Sequence, residues 1–295
     1  MVYRKKAVMC GGIKMSKKTG LVLEGGGMRG LYTVGVLDRF LDHDIMMDYV
    51  IGVSAGACHG ISYVSNQRGR SYRINTSYIE DKRYVSFSNY IKTKSVFGMD
   101  FIFDEIPHKL DLFDYDTFFS SSTEFVAGVT DVETGQPVYF GKNNFDHDAT
   151  ILRASSSIPV FAPMVEYQGG KYLDGGTSDP IPVRKALEDG CDQVIVVLTR
   201  NRGYEKTPEQ FRAIYKRIFR KYPEMIRILD ERHRIYNDTL QYVNQLEKEG
   251  KAVVIAPTEP IDIGRFEKNK DNLERLYQMG INDIENSLSK LRAIL

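Results

Sequence analysis

Tyr49-Val50-Ile51-Gly52-Val53-Ser54-Ala55-Gly56-Ala57 is the stretch that decides how this chain is read. An apolar run enters a serine set between Gly52 and Gly56, and small residues lead out into Ala55 to Val64. That order predicts a buried strand over Tyr49 to Val53 that turns abruptly into a helix, with the serine hydroxyl pushed out over the sheet edge. The glycines fit because a Cβ at either flank would strike backbone or close the space above the hydroxyl. A Gly-x-Ser-x-Gly match also arises in ordinary loops, so its meaning depends on its surroundings.

One unit earlier, Gly20-Leu21-Val22-Leu23-Glu24 has the pattern of a buried strand and runs straight into Gly25-Gly26-Gly27-Met28-Arg29-Gly30. Leu31, Val34, Leu37, Phe40 and Leu41 then recur at helical spacing. Strand, glycine loop and helix leave backbone N–H groups beside a helix N-terminus, where an anion is favoured. Two anions fit: a nucleotide phosphate or the oxyanion of an acyl-transfer intermediate. The three consecutive glycines depart from Gly-x-Gly-x-x-Gly, and no Lys-Ser/Thr pair follows, which favours the oxyanion. Parallel strands in successive βα units place their carboxyl ends on one sheet edge, so the loop and Ser54 are expected to face one cavity.

Composition sets the limits. The 295 residues carry Lys+Arg 40 against Asp+Glu 39, a formal net charge of +1, and 42% are hydrophobic. A sizeable core is affordable, and no global field draws in nucleic acid or a membrane. Cys10, Cys58 and Cys191 are too few and too scattered for a disulfide framework or a zinc site. No apolar run approaches the ~20 residues that cross a bilayer, and the basic N-terminus lacks a secretory h-region, so the expected location is cytoplasmic, without metal or cofactor. Residues 1–18 read as an N-terminal tail. Gly11-Gly12 ahead of Met15 can be encoded by a purine-rich stretch resembling a bacterial ribosome-binding site, so two readings are open: translation starts at Met15, or this is an ordinary disordered tail.

Further along, Asn66 to Tyr84 is polar and Arg-rich without a clear period. From Tyr84 to Phe119 aromatic residues crowd together, and two readings are open: a cover of loops and short helices over an apolar cleft, or ordinary core. Glu124 to Thr130 and Pro137 to Phe140 read as a hairpin, and Lys171 to Leu173 as a strand delivering Asp174-Gly175-Gly176. Gln193 to Leu198 is a strand buried on both faces. Glu209 to Tyr222 then reads as a basic amphipathic helix, with Phe211, Ile214, Tyr215, Ile218, Phe219 and Tyr222 opposite Arg212, Lys216, Arg217, Arg220 and Lys221. It either lies on an anionic membrane surface or packs its apolar side inward. Helix (Ile226 to Glu249), strand (Ala252 to Ala256) and helix (Asp271 to Leu291) complete a C-terminal extension over residues 201–295, packed on a core of residues 19–200.

A serine becomes nucleophilic only when a base takes its proton. His43, His59, His108, His147 and His233 stand in no glycine-flanked setting, and His59, inside the helix after Ser54, is expected to point away. An aspartate acting directly on Ser54 is therefore the better reading.

Four motifs in order, Gly25 to Gly30, Gly52 to Gly56, Ala154-Ser155-Ser156-Ser157-Ile158-Pro159 and Asp174-Gly175-Gly176, together resemble the patatin-like phospholipase family over Gly20 to Leu198. The chain after Leu198 resembles the C-terminal segment of a bacterial patatin subgroup. The resemblance implies a three-layer α/β/α fold with a mostly parallel central sheet and helices on both faces. It also implies Ser54 as nucleophile, Asp174 as its partner in a catalytic dyad, and Gly25, Gly26, Gly27, Met28 and Arg29 as the oxyanion hole, in an enzyme that cleaves fatty acyl esters of lipids. Arg29 has two expected roles, holding a lipid phosphate or bracing the loop. Thr177-Ser178-Asp179-Pro180 matches the family pattern only loosely. A nucleotide-binding protein would require an acidic residue where the second strand ends, and the Ser54 turn occupies that place. A non-catalytic lipid-binding protein would keep the cleft and lose covalent labelling by an organophosphonate.

Overall fold

The computed structural model describes residues 17–292; the candidate start at Met15 lies outside them. Strand β1 (Thr19–Leu23) leads through the glycine loop to α1 (Leu31–Asp42), and β2 (Tyr49–Val53) leads through Ser54 to α2 (Ala55–Val64). An irregular stretch follows with α3 (Arg70–Ser77), α4 (Phe87–Thr93), a π-helical segment (Phe101–Leu110) and α5 (Tyr115–Ser120). Next come β3 (Glu124–Asp131), β4 (Pro137–Gly141), α6 (Thr150–Ser155), β5 (Val165–Tyr167) and β6 (Gly170–Asp174). The chain ends with α7 (Val183–Glu188), β7 (Gln193–Val197), α8 (Arg212–Ile218), α9 (Pro223–Lys248), β8 (Ala252–Ile255) and α10 (Lys270–Arg292).

The sheet runs β5-β6-β3-β2-β1-β7-β8, with β4 paired to β3. From β3 through β2, β1 and β7 to β8 the strands are parallel, whereas β4, β5 and β6 pair antiparallel. Alternation along each strand feeds two cores. Leu21 and Leu23 of β1 face one, with α1, α2 and α10 packed on that side, while Val22 joins Val194, Val196, Tyr236 and Val243 in the other. The mixed α/β architecture with helices on both faces is the one read from the sequence, and β2 and α2 fall where the serine turn put them.

Two stretches differ from the sequence reading. The polar segment after Asn66 forms α3, whose buried Arg70 lies over the Phe113 ring, 5.1 Å from its centroid, and donates to the Asp111 carbonyl. Such a helix is short, buries polar residues such as Arg70, Ser71 and Asn75, and is fixed by tertiary partners, so no apolar period marks it. The basic segment is not one helix over 209–222: α8 spans Arg212–Ile218 and the chain restarts at Pro223. Proline suits the first turn of α9 but cannot continue α8, and it disfavours helical backbone at Tyr222. The apolar residues of α8 also divide. Tyr215 and Phe219 are buried with Met225 and Leu229, whereas Phe211, Ile214 and Ile218 are 54%, 48% and 44% exposed. Among the described residues no helix is long and apolar enough to cross a membrane.

Candidate active site

Ser54 sits between β2 and α2 with φ 54° and ψ −127°, a left-handed conformation that costs a side-chain-bearing residue strain. The surroundings hold it there. A Cβ at Gly52 would come within 2.6 Å of the Ala57 nitrogen, and one at Gly56 would run into the Leu23 carbonyl, so both glycines are required by close backbone approach. The Ser54 N–H donates to Ser155 Oγ at 2.8 Å, and that hydroxyl donates to the Gly128 carbonyl at 2.7 Å. This gives the serine-rich motif at the end of α6 a physical task that its sequence alone did not disclose.

Strand register brings the second residue over. Val53 pairs with Gly128 on β3, and the next β3 residue, Val129, pairs with Asp174 on β6. A side chain at 128 would collide with Val53, so glycine keeps that crossing clear. Asp174 is pinned at both backbone groups: its N–H donates to the Ser157 carbonyl at 2.8 Å, and its carbonyl accepts from Thr130 Oγ1 at 2.9 Å. Its carboxylate then accepts from Ser54 Oγ at 2.6 Å through Oδ2 and from the Gly176 N–H at 2.7 Å through Oδ1. Ser54 and Asp174 are 7% and 6% exposed. Burial raises the Asp174 pKa from the ordinary carboxylate value, against the Ser54 hydrogen bond and the charges of Arg232 and Arg265. A carboxylate raised in this way accepts a serine proton more readily.

None of the histidines takes that position. The His59 ring is buried against Gly30, its Nε2 has no partner, and burial lowers its pKa to about 4. His43 and His108 pair with Glu285 and Asp104, and His147 stacks on Tyr115.

The glycine loop lies beside Ser54, but its N–H groups are not equivalent. Gly25 N–H donates to the Pro180 carbonyl at 3.4 Å and Met28 N–H to the Arg265 carbonyl at 3.2 Å. Among the described residues the N–H groups of Gly26 and Gly27 have no partner. Of the expected oxyanion-hole residues Gly25 to Arg29, Gly25 and Met28 thus have their N–H groups engaged, the latter by a loop far along the chain. Gly27, at φ 58°, is also needed for that contact, since a Cβ there would meet the Arg265 carbonyl at 2.7 Å. Arg29 is buried near the charge of Glu24, but among the described residues its side chain makes no hydrogen bond or ion-pair contact, and its Nε is unpartnered.

Two clefts meet at Gly27, Ser54 and Ile158. One is apolar, lined by Met28, Phe97, Ile102, Phe103 and Phe113 among others. The dense aromatic stretch after Tyr84 therefore supplies both cleft wall and core, as Phe101 and Phe118 show by their burial. The other is polar and carries Arg29, Arg200, Lys206, Arg232 and Arg265. Apart from Arg29, none of these cations is marked in the sequence, because they follow no motif or spacing.

A family model described as patatin-like phospholipase matches residues 21–187, and a second, described as a domain of unknown function (DUF6363), matches residues 222–295. The uncharacterized protein YjjU of Escherichia coli is 27% identical over 268 residues, covering 88% of this chain and 74% of YjjU. Lysophospholipase NTE1 of Scheffersomyces stipitis is 25% identical over 292 residues, covering 92% of this chain. The chain spans only 18% of that protein's length. The crystal structure of VipD from Legionella pneumophila aligns with a TM-score of 0.52 at 12% identity, covering 93% of this chain and 67% of VipD, which is a likeness of fold. With more than half of its length matched by that model, the chain belongs to the patatin-like phospholipase family and is a lipid acyl hydrolase.

Proposed function

We propose that this chain hydrolyses the fatty acyl ester of a single-chain phospholipid through a Ser54–Asp174 dyad and an acyl-enzyme intermediate. The observation that carries the reading is the 2.6 Å hydrogen bond from Ser54 Oγ to a buried, otherwise well-pinned Asp174 at the meeting point of an apolar and a cationic cleft. The single-chain preference is supported by the lysophospholipase relatives and by one apolar cleft at the serine.

In the proposed cycle Ser54 Oγ attacks the ester carbonyl carbon while its proton passes to Asp174 Oδ2. The carbonyl π pair moves to oxygen, and the unclaimed N–H groups of Gly26 and Gly27, aided by the N-terminus of α2, stabilise that charge. Collapse of the tetrahedral intermediate breaks the bond to the glycerol oxygen, which takes the proton from Asp174 and leaves. Water then gives its proton to Asp174 and attacks the acyl-enzyme; fatty acid and Ser54 Oγ–H are released.

The exposed Phe211, Ile214 and Ile218, flanked by Arg212, Lys216 and Arg217, support peripheral contact with an anionic lipid surface beside the cleft that Phe211 lines.

The test is organophosphonate labelling read by intact mass, followed by a lipid-class panel. Wild type is expected to gain one adduct and Ser54→Ala none, with hydrolysis in the variant down by on the order of 10⁴-fold or more. Absence of labelling in both would leave a non-catalytic lipid-binding protein.

A further inference from the structure

The polar cleft is short of negative charge. It is lined by five cations, Arg29, Arg200, Lys206, Arg232 and Arg265, against the carboxylates of Glu24, Asp174 and Glu209. Most of those carboxylates are already engaged. Glu24 is held by the Thr199 N–H at 2.5 Å and the Tyr236 hydroxyl at 2.9 Å, and burial raises its pKa. Asp174 faces Ser54. Glu209 alone serves three cations, with its Oε1 2.6 Å from Arg232, 3.3 Å from Lys206 and 3.9 Å from Arg265.

The remaining guanidinium groups have little to bind. Arg29 is 8% exposed, lines the cleft, and has neither a hydrogen bond nor an ion pair among the described residues. Among the described residues, Arg265 pairs with Glu209 alone, through a long contact, and Arg200 donates to the Ile261 carbonyl and lies over the Tyr204 ring without meeting a carboxylate. Arg29 is buried and feels the charge of Glu24 without an ion-pair contact, while Arg200 and Arg265 are half-buried; cations held partly out of water with so little opposing charge are costly, and a chain keeps them where an anion arrives.

Resting on the acyl-hydrolase reading of Ser54, we infer that this cleft binds the phosphate of the substrate's head group. Arg265 and Arg232, from the region matching the domain of unknown function, and Arg200 form its wall with Arg29. Position and chemistry both support this. In a single-chain phospholipid only the glycerol backbone separates the ester from the phosphate, and Ser54 lies where the two clefts meet, so tail and phosphate fall on their matching surfaces. Phosphate has enough acceptor oxygens to engage several guanidinium forks at once, which one carboxylate cannot do. The field inside the cleft is consistent: Arg232, with burial, pushes Arg265 down to about 10, and the surrounding cations outweigh burial to pull Glu209 down to about 2. The C-terminal region thus takes part in substrate selection, and the Arg265 carbonyl that claims the Met28 N–H ties that selection to the oxyanion loop.

The test compares palmitoyl lysophosphatidic acid, palmitoyl lysophosphatidylglycerol and monopalmitoylglycerol in neutral detergent micelles, using the full chain and Arg265→Gln. The wild-type kcat/KM is expected to favour the two phosphate-bearing lipids, and Arg265→Gln to cut that preference ~10- to 100-fold, mainly through KM. Arg265→Lys should restore part of it, and unchanged melting temperatures show that the fold is intact. A preference unchanged within about twofold overturns the inference. Inorganic phosphate should compete with the phosphate-bearing lipids and do so more weakly in Arg265→Gln; phosphate acting equally on both proteins, or altering monopalmitoylglycerol turnover without competing, would point instead to a free-anion effector and overturn it. Calorimetric binding of glycerol 3-phosphate separates this inference from the catalytic reading. Binding that weakens in Arg265→Gln supports the site even if no ester is turned over, and no binding to wild type rejects it even if Ser54 is labelled.

Discussion

Apart from Gly27 and Met28, the apolar cleft is lined by residues between Ser54 and Ile158, in neighbouring segments of the chain. The cationic cleft takes Arg29 from the first βα loop, Arg200, Lys206 and Arg232 from the last third of the chain, and Arg265 from the loop after β8. The difference teaches how each responds to change. Apolar burial is non-directional and scales with area, so the first wall adjusts by degrees. Charges in a partly dry cleft repel or attract steeply and depend on geometry, so the second discriminates sharply. Ser54 lies where the two meet, with Asp174 hydrogen-bonded to it from the cationic side.

That shared position gives the largest expected effect. Asp174→Asn should lower kcat/KM by on the order of 10⁴-fold, as loss of a positioned dyad partner does. Phosphate-bearing and uncharged esters should suffer alike, and a loss confined to the phosphate-bearing lipids would reassign Asp174 to the cationic wall alone.

The pH profile of the uncharged ester sharpens the same point without titration of the substrate. Asp174 accepts a proton only when ionised, and its pKa is raised by burial from 3.8. Activity should therefore be full well above the raised value and fall about tenfold per unit below it. The acid limb should sit above the ordinary aspartate range, and a limb at 3.8 would show that the cations offset burial completely. The stability sign follows from the same shift. The folded state holds this proton more tightly than the unfolded state, so ionisation costs stability as pH rises from the unfolded to the folded pKa. Asp174→Asn should consequently melt higher than wild type at neutral pH, while the two converge in acid.

A smaller effect probes the apolar wall alone. Ile74→Trp, which fills part of that cleft, should reduce the preference for long over short acyl chains roughly tenfold while leaving the head-group preference in place. Coupled loss of both preferences would mean that the clefts do not act separately. The smallest change is expected from His59→Gln. Its loss should stay under about tenfold with the acid limb unmoved, whereas a general base contributes ~10²- to 10⁴-fold.

Much of the fold was legible because short-range sterics write it into short stretches. Gly52 and Gly56 announce the turn, since backbone passes where their side chains would be, and the period of Leu31, Val34 and Leu37 marks α1. Asp174 was legible through the glycines that follow it, read with the other three motifs. The role of Gly128 was written in the same way, as an isolated glycine within a strand, but it becomes interpretable only once β2 and β6 are seen on either side. Ser155 is harder, because a serine at the end of a short helix has many uses and its bond to the Ser54 N–H spans 101 residues.

The sequence by itself marked the strand-turn-helix units and the serine turn, because each carries a steric demand that only glycine, or a strict period, can meet, whereas Asp174 was singled out by the order of the four motifs and their family resemblance. The tertiary structure decided which loop N–H groups stay unclaimed, that the Arg29 Nε has no hydrogen-bond partner, and that arginines at 200, 232 and 265 converge beside Ser54. An arginine bound for a buried cleft and one bound for solvent look the same in a sequence, and only packing of distant segments settles which charges lose their water and must await a partner.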